Sequence, residues 1–286
     1  MEMKILAPAA AAAVIIIALF AYAAINQSPG TGFRGYVKAY YDAAPRDENN
    51  IVNKTELLRL LKNSHVNTYN FLIRLPDEDF QTLKDFLPMA REAGIDVWVT
   101  VAPPLGMPPE KRADIRYVDY IGWGRKFANL SLEHDNLVAW SIDNIIVERS
   151  FFTTGYVESI VSSSKNINPK LKFIPVVYYG DVASPYFDDM KQFFDGVQFY
   201  YTHFPQGPSD ESSVLLTQLN ELKSKFDKPI FLGIYATPFS NDIPTSPEYV
   251  GQMMDLAEQH TDGAMIYTLN LQGEKLETVK MRFAGK

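Results

Sequence analysis

The chain has 286 residues, is 47% hydrophobic, carries a net charge of −7 and contains no cysteine. That length and apolar content suffice for one full domain core. The acidic balance without a basic stripe argues against nucleic acid as a partner, and the missing thiols exclude disulfides and thiol catalysis and disfavour structural zinc.

Residues Ile5 to Ile25 form an unbroken apolar stretch between Lys4 and the polar run Asn26-Gln27-Ser28-Pro29-Gly30. The stretch exceeds the roughly 7–15 residues of a signal h-region and approaches the roughly 20 that span a bilayer. Residues 1–26 are therefore expected to be a single-pass membrane anchor, or a signal segment cleaved near Ala21-Tyr22-Ala23. Either reading puts the domain outside the cytoplasm, at the cell membrane or secreted. Residues 27–33 read as a linker and residues 34–286 as one domain.

Within that domain strand-like and helix-like runs alternate. Arg34 to Tyr41 reads as the first strand and ends at Asp42. A helix begins at Thr55, capped by Asn53 or Thr55, and Asn67 to Ile73 is the second strand. Phe80 to Ala93 is an amphipathic helix closed by Gly94. Asp96 to Val101 is the third strand, stopped by Pro103-Pro104. Tyr117 to Leu132 is a helix and Leu137 to Ile142 the fourth strand. The second half repeats the pattern. Its helices are Tyr156–Asn166, Pro185–Phe194, Ser213–Phe226, Pro247–His260 and Glu274–Phe283. Its strands are Lys172–Tyr179, Gly196–Tyr201, Pro229–Tyr235 and Gly263–Leu269.

The strands are near-continuous apolar runs, as in a parallel sheet buried on both faces. Eight such units, with no GxGxxG turn after the first strand, predict an α/β fold of a single (β/α)8 TIM barrel rather than an open doubly wound sheet. In that fold, side chains just past the strand C-termini converge on one mouth. The residues expected there include Asp42, Asn70, Asp143, Asn144, Tyr179, Asp181, Tyr201, His203, Tyr235 and Asn270. Aromatic faces suit the C–H faces of sugar rings, and Asp and Asn suit hydroxyls. The only histidines are His65, His134, His203 and His260, none closely spaced, so no metal or other cofactor is expected. No GxSxG elbow is present either.

Asp143 is the foremost candidate, because a carboxyl at an apolar strand end gains a raised pKa suited to proton transfer. Capping the next helix, or pairing with Arg149, is its alternative role. Of Tyr178-Tyr179 and of Tyr200-Tyr201, one ring in each pair must face inward and the other toward the helices. Trp140, three residues before Asp143, is expected to face the helices.

The run Val138-Ala139-Trp140-Ser141-Ile142-Asp143-Asn144 resembles the fourth strand of secreted glycoside hydrolase barrels, above all the β-N-acetylglucosaminidase/hyaluronidase type. Asn67-Thr68-Tyr69-Asn70 and Gly94-Ile95-Asp96-Val97-Trp98-Val99 resemble that family's second and third units. The resemblance implies an Asp-Asp pair here, the first orienting the substrate acetamido group and the second acting as general acid. Asp143 matches the first. Asn144 stands at the second and has no acidic proton. Asp181 is then the expected substitute, with Glu148 and Asp42 as further options. The expected substrate-binding set is Asp42, Asn70, Asn144, Tyr179, Tyr201, His203, Tyr235 and Asn270.

The expectation is an exported glycoside-hydrolase-like protein that hydrolyses carbohydrate by acid–base chemistry or binds it. Its rival is a non-catalytic cell-surface glycan-binding barrel that lost its acid at Asn144. A third reading is another exported barrel enzyme, a deacetylase or lyase.

Overall fold

The computed structural model describes residues 33–42, 44–104, 109–112, 114–202, 211–237 and 245–285. The apolar run at 5–25 and His203 lie outside the described residues. The chain divides into two units, Met1–Tyr36 and Val37–Lys286, and the fold described below is that of the second. Among the described residues, no helix is long and apolar enough to cross a membrane.

Nine strands build the unit: β1 Val37–Tyr41, β2 Thr68–Ile73, β3 Asp96–Val101, β4 Leu137–Ile142, β5 Lys172–Phe173, β6 Val176–Tyr178, β7 Val197–Tyr200, β8 Ile230–Tyr235 and β9 Gly263–Tyr267. All pair in parallel, in the order β5-β4-β3-β2-β1-β9-β8-β7-β6. The two ends of that order are joined by only Ile174-Pro175, so the sheet curls back on itself in a TIM-barrel-like arrangement. The expected fifth strand, Lys172–Tyr179, is split at this point. Pro175 has no N–H to give to a ladder, so β5 pairs with β4 and β6 with β7. Backbone bonds from Ile174 N to Trp140 O (2.9 Å) and from Gln198 N to Pro175 O (2.9 Å) carry the pairing across the gap.

The main helices lie between strands: α1 Lys54–Asn63, α2 Glu78–Glu92, α3 Pro109–Arg112, α4 Ile115–Val118, α5 Tyr120–Glu133, α6 Thr154–Lys165, α7 Tyr179–Val182, α8 Pro185–Met190, α9 Glu211–Lys225, α10 Pro247–His260 and α11 Gly273–Phe283. Asn53 caps α1 through its side chain, and Gly94 closes α2 at φ +72°, where a side chain would be strained. The expected helix Tyr117–Leu132 is broken at Asp119, whose carboxylate caps α5 by accepting from Gly122 N (2.8 Å). The short α3 and α7 have no counterpart in the sequence reading, since a single turn carries no periodicity.

Two cores result from the alternation of side chains along each strand. Outside the sheet, Trp140 packs against Phe127 and Phe173 at 5.9 and 4.7 Å between centroids. Gly124 of α5 leaves room for it, since an added Cβ would stand 3.1 Å from the indole. Inside, Trp98 of β3 meets Phe231 of β8 across the barrel at 4.8 Å. Above that pair lies a polar layer. Asn70 Nδ2 donates to Gln198 Oε1 (3.0 Å), and Thr100 Oγ1 donates to Asn70 Oδ1 (2.8 Å). Gln198 Nε2 donates to Ser141 Oγ and to the Ile174 carbonyl, at 3.0 and 2.9 Å. Asn70 and Gln198 are fully buried, and the network satisfies both amides, as burial demands.

Asn70 is thus engaged below the mouth. Asn70→Ala strands a buried donor on Thr100 and a buried acceptor on Gln198, and is expected to cost about 2–4 kcal/mol. Urea unfolding measures this as a lower midpoint at unchanged slope. A variant as stable as the parent would show that the network does not hold the barrel.

Candidate functional site

A cavity of about 540 Å³ opens at the C-terminal ends of the strands. Five tyrosines form its collar: Tyr41, Tyr178, Tyr200, Tyr235 and Tyr267. Their rings contact in sequence, with centroids 6.3 Å apart for Tyr41–Tyr200, 5.3 Å for Tyr200–Tyr235, 5.5 Å for Tyr235–Tyr267 and 5.8 Å for Tyr267–Tyr41. Tyr200 fits because its neighbour on β8 is glycine. A Cβ at Gly233 would lie 2.4 Å from the Tyr200 ring.

Asp143 and Asn144 reach the cavity from the end of β4. Burial pushes the Asp143 carboxyl up to about 6. Hydrogen bonds from the Asn144 backbone N–H and the Tyr41 hydroxyl oppose the shift, while the charges of Asp42 and Asp181 add to it. Asp143 Oδ1 and the Tyr200 hydroxyl are both buried without a hydrogen-bond partner among the described residues. Burial also raises the phenols. Tyr235 goes to about 12, and Tyr41 and Tyr200 go well above their ordinary value. The collar therefore consists of neutral O–H groups.

Asp42, one residue past β1 and at φ +64°, is the other carboxylate lining the cavity. Its buried oxygens accept two bonds from Arg74, from Nη2 at 2.5 Å and Nε at 3.3 Å. Arg46 also lines the cavity and is locked to buried Asp79 by two bonds of 2.9 and 2.8 Å. Asp79 further accepts from the backbone N–H of Arg74 (2.7 Å) and Leu75 (2.9 Å). It thereby ties the segment after β1 to the segment after β2. Lys111 of α3 completes the cationic rim.

The structure brings Asp42, Asp143, Asn144 and Tyr235 together and places the other expected residues that it describes elsewhere; His203 is outside the described residues. Asp181 is buried at the start of α7, where its carboxylate accepts from Tyr178 N at 2.8 Å. Burial raises it to about 6 as well, yet it does not line the cavity. Glu148 is buried in the turn after β4; burial raises the Tyr120 hydroxyl, and the charge of Glu148 adds to that rise. Tyr179 faces outward, and its hydroxyl donates to Glu221 at 2.7 Å. Tyr201 is buried away from the cavity. Asn270 is exposed and accepts from Thr268 Oγ1 at 2.9 Å. Tyr178 and Tyr200 stand in the cavity where Tyr179 and Tyr201 were expected. The sequence reading also passed over Tyr41, Arg46, Arg74 and Lys111. Gln198, a polar residue within an apolar strand, was the available signal for Tyr200, because two residues along a strand share a face.

No protein-family model matches the chain, and neither does any curated protein sequence. Solved structures share its fold. The β-D-glucuronidase of Dictyoglomus thermophilum superposes over 88% of this chain with a TM-score of 0.64 at 16% identity. A β-glucuronidase from an uncultured Clostridium sp. does so over 88% with a TM-score of 0.63 at 15% identity. Thermotoga maritima Cel5A, solved in complex with cellobiose, matches over 88% with a TM-score of 0.63 at 13% identity. The chain spans about half the length of the two glucuronidases, 51% of each, and all of Cel5A. At such identities the likeness is one of fold, that of glycoside hydrolase barrels. The finer likeness to the β-N-acetylglucosaminidase type rests on the strand motifs alone.

The raised carboxyl of Asp143 makes stability depend on pH. A folded-state pKa above the unfolded value means that the native state holds the proton more tightly. Its contribution is full below about pH 4 and is lost as pH rises through about 6. Asp143→Asn is therefore expected to flatten this loss by on the order of 2 kcal/mol. Chemical unfolding of both proteins at pH 4 and pH 7 measures it, and parallel curves would contradict the buried setting of Asp143.

Proposed function

We propose that this protein is a carbohydrate-active barrel in which Asp143 exchanges the proton of a glycosidic cleavage. The observation that carries the reading is a carboxyl raised to about 6 at the base of a tyrosine-collared cavity. At that value it is protonated often enough to donate and ionised often enough to accept. The collar offers ring faces and neutral hydroxyls for a sugar. Asp42 is the other carboxyl reaching the cavity and takes the place that Asp181 and Glu148 held in the sequence reading. A role for those two residues in the same chemistry would require their carboxylates to leave their present positions.

One observation favours the rival reading, a barrel that binds glycan without cleaving it. Asp42 is held by Arg74 through two bonds, which restrains it as a nucleophile or base. In either case we propose that the apolar segment at residues 5–25 carries the domain out of the cytoplasm, as an anchor or as a cleaved signal. Protease protection of the barrel in intact cells would sink that part.

Turnover by the full-length protein on a panel of neutral, N-acetylated and acidic chromogenic glycosides tests the main reading. Cleavage is expected to fall as pH rises through about 6, and Asp143→Asn is expected to lower kcat by at least about 100-fold with the fold retained. Binding without cleavage by the parent protein would establish the rival. Unchanged cleavage in Asp143→Asn would remove Asp143 from the reaction.

A further inference from the structure

We infer that the cavity takes an acidic sugar, a pyranose bearing a carboxylate, with that carboxylate bound by Lys111 and Arg74. The inference rests on the carbohydrate reading above and adds the charge of the ligand. Among the described residues, three cations line the cavity, and two are already committed. Arg46 is spent on buried Asp79. Arg74 gives Nε and Nη2 to Asp42, but its Nη1 makes no hydrogen bond among the described residues, and the side chain is 54% exposed. Lys111 makes no ion pair or hydrogen bond among the described residues. Its ammonium lies 5.1 Å from the Tyr117 ring centroid, which is also at the cavity.

The charge of the site follows. Arg46 and Asp79 cancel, as do Arg74 and Asp42. Lys111 and Asp143 remain. When Asp143 carries its proton, the form required of an acid, the described residues of the cavity hold one cation in excess. A neutral sugar leaves that charge unanswered, whereas a monoanionic one completes it. A carboxylate has two oxygens, one for an ammonium and one for a guanidinium N–H, and charge-assisted bonds of this kind are the strong ones. The rim cations stand on the segments after β1, β2 and β3, beside Asp143 after β4. The acidic group is thereby directed to one side of the mouth, and the tyrosines of β6 to β9 face the rest of the ring.

The test is calorimetric binding of glucuronate, galacturonate, glucose and N-acetylglucosamine to the full-length protein at pH 5. The parent is expected to bind the uronates at least about tenfold more tightly than the neutral sugars, the worth of one charge-assisted bond. Lys111→Met is expected to abolish that preference, while Lys111→Arg keeps it. Thermal unfolding of each variant checks that the fold persists. Equal binding of uronates and neutral sugars by the parent, or a preference that survives Lys111→Met, would overturn the inference and leave the carbohydrate reading standing. Binding of none of these sugars would overturn both.

Discussion

The hydrogen bond from Asn70 to Gln198 crosses the interior of the barrel and sets the height of everything above it. Two buried amides on opposite walls must each be satisfied, and Thr100, Ser141 and the Ile174 carbonyl complete the set. In the same interior Trp98 packs against Phe231. Above the amides, inward positions one step further along the strands carry Tyr200, Tyr235 and Tyr267. Past the polar layer, these rings form the wall of the cavity. Gly233 is part of the same arrangement, since its missing Cβ is the space into which Tyr200 lies.

The chemistry of Asp143 follows from that wall. A carboxyl on an exposed turn would titrate near 4. Here rings replace water on most sides, and burial outweighs the two hydrogen bonds that favour the charged form. Asp42 is only one strand-end away in type of position, yet its setting differs. It faces the segment after β2 and receives a guanidinium there. Two carboxylates at one mouth are thus given different surroundings, one by aromatic rings and one by a cation. Such separation is what lets a site assign distinct roles to chemically identical groups.

The alternation of strands and helices was legible because buried parallel strands are apolar on both faces, and β3 and β4 fall on the residues expected of them. Facing was harder. Trp140 was read correctly by counting within one strand from Asp143. For Tyr178-Tyr179 and Tyr200-Tyr201 a shift of one residue exchanges cavity for exterior, and local sequence holds no ruler for it. Asn70 was expected at the mouth although its strand was read as running to Ile73, and the structure buries its amide three residues before that end. Asp181 does follow a strand, yet a short helical turn brings its carboxylate onto the Tyr178 N–H, and Glu148 is buried in the turn after β4. Arg46, Arg74 and Lys111 escaped notice for another reason. The places of Arg46 and Arg74 at the mouth depend on how the segments after β1 and β2 fold together through Asp79 and Asp42, Lys111 stands on a single helical turn, and neither arrangement leaves a periodic trace.

Asn144 looked decisive in the sequence, since an amide cannot deliver an acid's proton. In the structure it has a backbone role, at φ +52°, with its N–H toward the Asp143 carboxyl. The capacity to donate a proton sits instead on Asp143, conferred by surroundings rather than by a second acidic residue in sequence. A glycosidase also needs a partner carboxylate within about 5–9.5 Å, and Asp42 is the other carboxylate lining this cavity. Its use as nucleophile or base depends on how firmly Arg74 holds it. An ion pair whose guanidinium is half exposed is also one that a ligand anion can approach. Under the proposed carbohydrate reading, the pairing of Asp42 with Arg74 is the feature that separates binding sugar from cleaving it.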